Sequence, residues 1–253
     1  MKKRTDMAIE LCPGTAKTRG KTVRTDIDLD EQTARQHGKA AGKYVCVESD
    51  AVKTLDRGEY KRLAAELSQV INEMGGEPSN VLVVGLGNPK LTADSLGSKV
   101  FDRLVVTRQI EEADTKVSAI CPNVMGVTGI ESFDVIKGVC ERIKPDLVVA
   151  VDSLASASTG RIASAFQLCS SGITPGSGVS NHRMRLSYES LGCRVISLGV
   201  PLVVYAGTII SEAVGEREVD EQIAGLIVTP KDIDFLVDEC ADVIAAAINR
   251  AFV

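Results

Sequence analysis

The stretch Asp146-Leu147-Val148-Val149-Ala150-Val151-Asp152 decides the fold, because five consecutive apolar residues stand there between two carboxylates. A continuous apolar run of this length, rich in valine, is typical of a strand that is covered on both faces in a parallel sheet. A second run, Val81–Val84, has the same character and leads into the turn Gly85-Leu86-Gly87. The two runs predict two buried strands of a parallel sheet.

Apolar residues at helical spacing stand between these strands. Two stripes repeat every three or four residues: Leu96, Val100 and Leu104, and then Ile136, Val139 and Ile143. Thr128 and Glu131 precede the second stripe at the spacing of a capping box, which predicts a helix start there. The segment Lys116–Cys121 has the composition of another strand and is stopped by Pro122. Strands that alternate with helices predict an α/β fold with helices on both faces of the sheet.

The C-terminal part of the chain continues this alternation. A strand is predicted at Arg194–Val200 and a helix after Pro201. The last helix is predicted to begin with Thr229 as its N-cap and Pro230 at its first position, followed by an apolar stripe.

The first 50 residues differ from the rest, since they are polar and rich in turn residues. Their short β-like stretches, Thr22–Leu29 and Tyr44–Glu48, predict an edge hairpin or arm. The predicted architecture is therefore a three-layer α/β/α fold with a mostly parallel sheet and a small, β-rich N-terminal arm.

The composition excludes several classes of site. The chain has 253 residues with seven Cys and two His, and no two Cys lie within four positions of each other. This spacing argues against a CxxC redox pair, a zinc knuckle and a secreted disulfide framework. His37 and His182 alone are too few for a His-rich metal site. The sequence predicts neither a metal nor another cofactor.

Charge and hydropathy limit the partners. The net charge is -5, and residues 201–253 carry 3 basic and 10 acidic residues. An acidic surface of this kind argues against direct binding to nucleic acid and is typical of a solvated helix face. No apolar run approaches the roughly 18 residues that a membrane span needs, so no membrane association is predicted.

The turn Gly85-Leu86-Gly87 follows a strand, as the dinucleotide-binding fingerprint does. Lys90 stands where the third glycine of that fingerprint belongs, and Pro89 removes a backbone N–H that could face a phosphate. The sequence also lacks the P-loop, HExxH and GxSxG motifs. Carboxylates are therefore the candidate catalytic groups.

Two aspartates are placed for this role. Asp94 lies in the loop after the strand Val81–Val84, and Asp152 ends the predicted strand Leu147–Val151. Ligands of open parallel sheets bind beyond the carboxyl ends of the strands, so the two side chains can converge on one cleft. Two carboxylates held close together share a proton, which supplies a base for water and an acid for a leaving amine. The alternative is capping: Asp94 as the N-cap of a helix that begins at Ser95, and Asp152 as the cap of a turn.

A glycine-rich loop, Gly172–Val179, is a second candidate region. Gly176, Ser177 and Gly178 allow close backbone approach, as a loop that grips a substrate requires, although a plain wide turn has the same composition.

With these residues in place, the sequence resembles the germination protease family of spore-forming bacteria. The matching stretches follow the family's order and cover most of residues 80–253: Val83–Asn88, Thr92–Gly97, Pro122–Glu131, Ala150–Ala155, Ile173–Val179, Tyr188–Gly192 and Val228–Asp234. Asn88, in the first of these stretches, joins Gly176, Ser177 and Gly178 as a candidate substrate-binding residue. The family's proposed catalytic aspartates match Asp94 and Asp152.

The resemblance implies an endopeptidase that degrades small acid-soluble spore proteins. It also implies a fold similar to that of the hydrogenase maturation proteases, a homotetramer, and a location in the cytoplasm of the forespore or spore core. Which aspartate is the base, and whether a metal assists, stay open. Two other functions also stay open: a maturation-type peptidase that trims one partner precursor, and a spore-core binding protein without catalysis.

The family is made as a zymogen that removes an N-terminal segment at a site resembling Thr-Glu-Phe/Ile-Ala-Ser-Glu. Residues Thr5–Glu10 have the same order of residue types, which predicts self-cleavage between Asp6 and Met7. Residues 1–6 are then a pro-segment, and residues 7–253 form one peptidase domain with an arm over 7–50 and an α/β core over 80–253. The similar stretch Thr25-Asp26-Ile27 is a weaker competitor, because Asp28 replaces the alanine.

Overall fold

A computed structural model of the chain describes residues 4–174, 184–215 and 217–253. These ranges contain nine strands: β1 (Thr15–Arg19), β2 (Thr22–Leu29), β3 (Gly42–Glu48), β4 (Asn80–Gly85), β5 (Lys116–Ile120), β6 (Leu147–Ser156), β7 (Ala165–Cys169), β8 (Arg194–Tyr205) and β9 (Ile227–Val228). They also contain ten α-helices: α1 (Glu31–His37), α2 (Ala51–Thr54), α3 (Arg57–Gly75), α4 (Leu96–Phe101), α5 (Met125–Thr128), α6 (Ser132–Ile143), α7 (Tyr188–Leu191), α8 (Ala206–Val214), α9 (Glu221–Ala224) and α10 (Ile233–Phe252).

The strands form one mixed sheet in the order β1-β2-β3-β7-β8-β6-β4-β5, with β9 attached to β8. The block β8-β6-β4-β5 is parallel, as the alternation of strands and helices predicts. The strands β1, β2, β3 and β7 extend this block with antiparallel pairs. The α/β class is confirmed. The predicted stretches Thr22–Leu29 and Tyr44–Glu48 are β2 and β3, and the hairpin at the edge of the sheet pairs β2 with β1, a strand that the sequence did not predict.

Helices cover both faces of the sheet because successive apolar side chains of the central strands point to opposite faces. Val81 and Val83 of β4 point into a core that contains residues of α3, α4 and α10. Leu82 and Val84 point the other way, into a core that contains Phe133 of α6. Both faces of β4 are therefore buried, and the predicted three layers are present. None of the helices in the described ranges combines the length and apolarity needed to cross a membrane.

The predicted capping box at Thr128 and Glu131 is wrong. Thr128 ends α5, and Gly129 closes that helix with a φ of 73°. The Thr128 hydroxyl donates to the carbonyl oxygen of Ile130 at 3.0 Å, so it serves the turn after α5. The next helix, α6, begins at Ser132, and the Glu131 side chain makes no capping hydrogen bond.

The helix predicted to follow Pro201 begins only at Ala206, because β8 continues through the proline to Tyr205. Pro201 lies opposite Leu154, where the register of the β6–β8 pair shifts. A β-bulge is one of the few places where a strand tolerates a residue without a backbone N–H.

The predicted start of the last helix is also wrong. The N-cap of α10 is Asp232, not Thr229. Pro230 lies in the preceding turn, where its carbonyl oxygen accepts a hydrogen bond from the Ile233 amide at 3.2 Å. The predicted apolar stripe of this helix is confirmed. Its first residue, Ile233, is half-buried, and the others are buried: Leu236, Val237, Cys240, Val243, Ile244 and Ala247.

An arginine joins the N-terminal hairpin to the central helix α3. Arg24 of β2 lies 2.6 Å from a carboxylate oxygen of Glu73 and 3.4 Å from one of Glu66. The hydrogen bond from Arg24 lowers the pKa of Glu73 to about 2. Because this folded-state pKa is below the ordinary value of 4.5, the contact stabilises the fold at neutral pH, and this stabilisation is lost as the pH falls from 4.5 toward about 2.

Replacing Glu73 with Gln is expected to lower the free energy of unfolding by about 1 kcal/mol at pH 7, after allowance for solvent screening of a side chain that is 34% exposed. The difference from wild type should shrink as the pH approaches 2. Urea titrations at pH 7 and at pH 3 measure it, with Glu31→Gln in the exposed pair with Arg35 as the control. A difference that stays constant with pH contradicts the assignment.

Candidate active site

A cavity of about 790 Å³ opens at the carboxyl ends of β4 and β6, and we call it the cleft. Asp94 and Asp152 both line it, although 57 residues of chain separate them. The structure thus brings the two predicted catalytic residues to one site.

Asp152 lies where β6 loses one of its neighbours. The pairing of β4 with β6 stops at Gly85 and Val151, so Asp152 is the first residue beyond it. The prediction that the strand ends there is wrong, because β6 continues along β8 to Ser156 and leaves no turn for Asp152 to cap. The Asp152 side chain is buried, and its Oδ1 accepts a hydrogen bond from the Ser153 amide at 2.9 Å.

Asp94 reaches the cleft from the short 3-10 helix Thr92–Asp94, just before α4. The N-cap of α4 is Ser95, so the capping alternative is wrong for Asp94. Its Oδ2 instead accepts a hydrogen bond from the backbone amide of Asn88 at 2.8 Å. This bond ties the carboxylate back to the loop that leaves β4.

Asn88, the predicted substrate-binding residue, thus holds Asp94 through its backbone. Its side-chain Oδ1 accepts a hydrogen bond from the Lys90 amide at 3.0 Å. Asn88 is not among the described residues that line the cleft. Direct contact between Asn88 and a substrate stays a prediction.

The glycines of Gly85-Leu86-Gly87 allow the backbone to pack closely around Asp94. Gly87 has a φ of 102°, and a Cβ atom there would lie 2.1 Å from the carbonyl oxygen of Asp94. Gly85 meets Gly97 at the start of α4, where a Cβ on Gly85 would lie 2.2 Å from the Gly97 carbonyl oxygen. The turn Gly85-Leu86-Gly87, which resembles part of the dinucleotide-binding fingerprint, therefore leaves room for the backbone around Asp94 to pack against it.

A buried glutamine faces the same side of the sheet as Asp152. Gln167 of β7 and Asp152 of β6 both pair with Gly199 of β8, so the three residues form a row across the strands. Two strand spacings separate the outer backbones, about 10 Å. Gly199 places no side chain between them, and all three residues line the cleft. The sequence predicted no role for Gln167, although a polar residue within the buried strand β7 is a signal of function.

The predicted processing site lies against the cleft. Asp6 lines it, and the Asp6 amide donates to the carbonyl oxygen of Ala155 at 2.9 Å. Gln167 bridges the next residues: its Nε2 donates to the Asp6 carbonyl oxygen at 3.0 Å, and its Oε1 accepts from the Ala8 amide at 2.6 Å. Met7, between them, is fully buried. Asp6 therefore lines the same cavity as the two candidate catalytic residues.

Two cations also line the cleft, Lys39 and Arg185. The Lys39 ammonium lies 3.8 Å from the Asp6 carboxylate. Burial lowers the pKa of Lys39 below its ordinary value, and the nearby Asp6 carboxylate opposes part of this shift. Burial also raises the pKa of Tyr44, another lining residue. The cleft is therefore a partly desolvated site in which charged groups interact strongly.

The other predicted site residues, Gly176, Ser177 and Gly178, lie outside the described residues, and their role in substrate binding stays a prediction. Within the described ranges, no group of three or more His, Cys, Asp or Glu side chains is arranged to hold a metal ion. All seven Cys are free thiols.

The fold and the cleft together define an α/β protein with carboxylates at the carboxyl edge of its parallel strands, where open α/β sheets hold their ligands. The family model of the germination proteases matches residues 8–216. The chain belongs to the germination protease family, and it is a peptidase.

Individual relatives agree with this assignment. A germination protease of Caldanaerobacter subterraneus subsp. tengcongensis is 37% identical over 265 residues, covering 88% of this chain and 82% of its own. One of Clostridium perfringens is 37% identical over 281 residues, covering 91% and 86%. One of Halalkalibacterium halodurans is 44% identical over 194 residues, covering 72% and 52%. Among solved structures, a NiFe hydrogenase maturation protease from Thermococcus kodakarensis KOD1 is 20% identical with a TM-score of 0.36, covering 69% of this chain and 98% of its own.

Proposed function

We propose that this peptidase is an endopeptidase that hydrolyses small acid-soluble spore proteins during spore germination, with water activated by Asp94 and Asp152. The observation that carries the proposal is that these two aspartates, one within β6 and one in the loop after β4, line one cleft that Asp6 of the N-terminal polypeptide also lines. Membership of the germination protease family supports the same reading.

In the proposed reaction the two carboxyl groups share one proton. The ionised aspartate takes a proton from water as the water oxygen attacks the carbonyl carbon of the substrate peptide. The protonated partner donates a hydrogen bond to the carbonyl oxygen, on which negative charge develops. The C–N bond then breaks, and a proton passes to the leaving amine. The pair acts as a unit, so neither role is assigned to one residue.

The chain is further proposed to be a zymogen that cleaves itself between Asp6 and Met7. Residues 1–6 would then be the pro-segment, and residues 7–253 the peptidase domain. The contact of Asp6 with Ala155, three residues beyond Asp152 on β6, supports this assignment, because it brings the segment alongside the strand that carries a catalytic residue.

The proposed assembly is a homotetramer in the cytoplasm of the forespore or spore core. Exposed apolar side chains on α8, α9, β9 and the link between α9 and β9 support self-association: Val214, Ile223, Leu226 and Ile227. Exposed apolar patches of this kind are frequent at subunit contacts.

Incubation with a purified small acid-soluble spore protein tests the substrate and the chemistry together. Mass spectrometry follows the appearance of fragments. We expect cleavage at a few sites, and we expect the rate of cleavage to be the same with and without a chelator. A folded protein without an acidic cleavage motif is the control and should stay intact. Failure to cut the spore protein contradicts the proposed substrate, and loss of cleavage with chelator contradicts the two-aspartate mechanism.

A further inference from the structure

Residues Thr5–Glu10, which we call the N-terminal segment, are held by the rest of the chain along their whole length. Two of the six residues carry acids, Asp6 and Glu10, and each acid meets a different cation. Met7 and Ala8, between the acids, are fully buried. The segment therefore fits its surroundings as a bound peptide fits a binding site.

The first acid meets Lys39. This lysine follows α1, its side chain is 14% exposed, and its ammonium lies 3.8 Å from the Asp6 carboxylate. The other Asp6 oxygen, Oδ2, accepts a hydrogen bond from the Ala155 amide at 3.0 Å. A buried ammonium without an opposite charge is costly, so Lys39 favours an acid at this position.

The second acid is held more completely. The Glu10 side chain is 4% exposed, and Arg161 lies 3.2 Å from its Oε1. The same Oε1 accepts from the Ser156 hydroxyl at 2.6 Å, and Oε2 accepts from the Ala157 amide at 2.7 Å. The Thr5 hydroxyl, within the segment itself, also donates to Oε2. The three donors from outside the segment form a site that selects a charged acid over a neutral side chain.

Between the acids, the backbone and an apolar side chain are fixed. Gln167 donates to the Asp6 carbonyl oxygen at 3.0 Å and accepts from the Ala8 amide at 2.6 Å, which sets the register of the peptide. Met7 packs in a cluster with Cys46, Leu154 and Ala165. The carbonyl oxygen of the peptide bond between Asp6 and Met7 is thus fixed by a hydrogen bond, and the residues before and after this bond are fixed by their own contacts.

We infer that these contacts are the specificity subsites of the peptidase. Lys39 binds the acid that precedes the cleaved bond, Arg161 with its neighbours binds an acid four residues further on, and Gln167 aligns the backbone between them. The preferred substrate carries an acid at both positions and an apolar residue after the cleaved bond, and it adopts the backbone of Thr5–Glu10, which is extended at Met7 and forms a 3-10 helix over Ala8–Glu10. The inference rests on the proposed function, because it takes the bond between Asp6 and Met7 as the cleaved one. Cleavage leaves Met7–Glu10 attached to the peptidase, so another peptide enters only when these four residues also leave the subsites.

Exchanging the charges of Asp6 and Lys39 in the full chain tests the subsite at Lys39. Intact-mass measurements monitor the rate of self-cleavage. Asp6→Lys and Lys39→Glu should each slow cleavage after position 6 by about tenfold or more, because each places like charges together. The double variant Asp6→Lys with Lys39→Glu restores opposite charges and should recover the wild-type rate to within about threefold. Asp28→Lys and Lys17→Glu make the same charge changes at exposed positions and should process normally.

Glu10→Gln tests the second subsite without altering Arg161, which also pairs with Glu48. We expect cleavage to slow by about tenfold, since a neutral amide loses the charge-assisted contact. Urea unfolding midpoints of all variants separate recognition from folding, because lost stability cannot explain a rate that the double variant restores.

The outcomes are distinguishable. If wild type cleaves itself at this bond and the charge exchange restores nothing, or the single variants match the controls, the subsites are wrong and the proposed function stands. If wild type does not cleave there at all, the proposed processing fails and the subsite assignment falls with it.

Discussion

Replacing either Asp94 or Asp152 by Asn is expected to slow peptide cleavage by about 10²–10⁴-fold, the usual contribution of a general acid or base. Asparagine keeps the size of the side chain and can accept a hydrogen bond, but it cannot take a proton from water. Because the two carboxyl groups act together on one proton, each single variant should lose about as much activity as the double variant.

The measurement is the initial rate of self-cleavage by intact mass, after the purified chain has been acidified and dried. Asp134→Asn is the matched control, since Asp134 is an exposed aspartate on α6, and it should process at the wild-type rate. Urea midpoints of the variants should stay close to that of wild type. Normal processing by Asp94→Asn or by Asp152→Asn shows that the residue is not catalytic.

Gly87→Ala is expected to have the second largest effect, although glycine carries no chemistry. The Cβ atom would lie 2.1 Å from the Asp94 carbonyl oxygen and 3.0 Å from Asp94 Oδ1, at a φ of 102° that alanine rarely adopts. The turn that presents Asp94 must therefore move. A displacement of about 1 Å in a catalytic group can reduce activity by about 10²-fold, and the strain lowers stability by about 1–3 kcal/mol.

Self-cleavage rates and urea titrations of the same preparation measure both effects of Gly87→Ala. Gly138→Ala is the control, because Gly138 lies in α6 with open space around its Cβ position. Alanine is a better helix former than glycine, so this variant should be as stable as wild type or more stable. Full activity in Gly87→Ala contradicts the role assigned to the glycine turn.

The sequence predicted the centre of the fold well, because hydrophobic periodicity is strongest where strands are buried on both faces. The strand Thr22–Leu29 and the parallel block around β4 and β6 are confirmed. The errors lie at element ends. The residues Thr128 and Pro201 have other roles in the fold than those predicted. The Thr128 hydroxyl donates a hydrogen bond within the turn after α5, and Pro201 lies where the register of the β6–β8 pair shifts.

Helix α3, which has 19 residues, was not predicted from the sequence. It begins after Asp56, whose side chain accepts hydrogen bonds from the amides of Gly58 and Glu59 at 3.1 and 3.3 Å. Its buried residues Leu63, Leu67, Val70 and Ile71 recur at helical spacing, so the sequence carried a helix signal that was overlooked. Its place against α10 depends on tertiary packing.

For the site, the sequence identified Asp94 and Asp152 from their position after parallel strands, and both line the cleft. It missed Lys39, Arg161 and Gln167. These three residues come from the antiparallel part of the sheet and its loops. Lys39 and Gln167 reach the cleft, and Arg161 reaches Glu10, through the pairing of β3, β7 and β8. Pairing between strands distant in sequence leaves no local pattern, so such residues become visible only in the folded chain.

The most direct test of the central claim is a time course of small acid-soluble spore protein cleavage by wild type, Asp94→Asn and Asp152→Asn, each with the N-terminal mass of the peptidase recorded. The account predicts that wild type cuts the spore protein and loses residues 1–6, while both variants keep residues 1–6 and leave the spore protein intact. Cleavage of the spore protein by either variant at the wild-type rate, or loss of a different N-terminal segment from wild type, would contradict it.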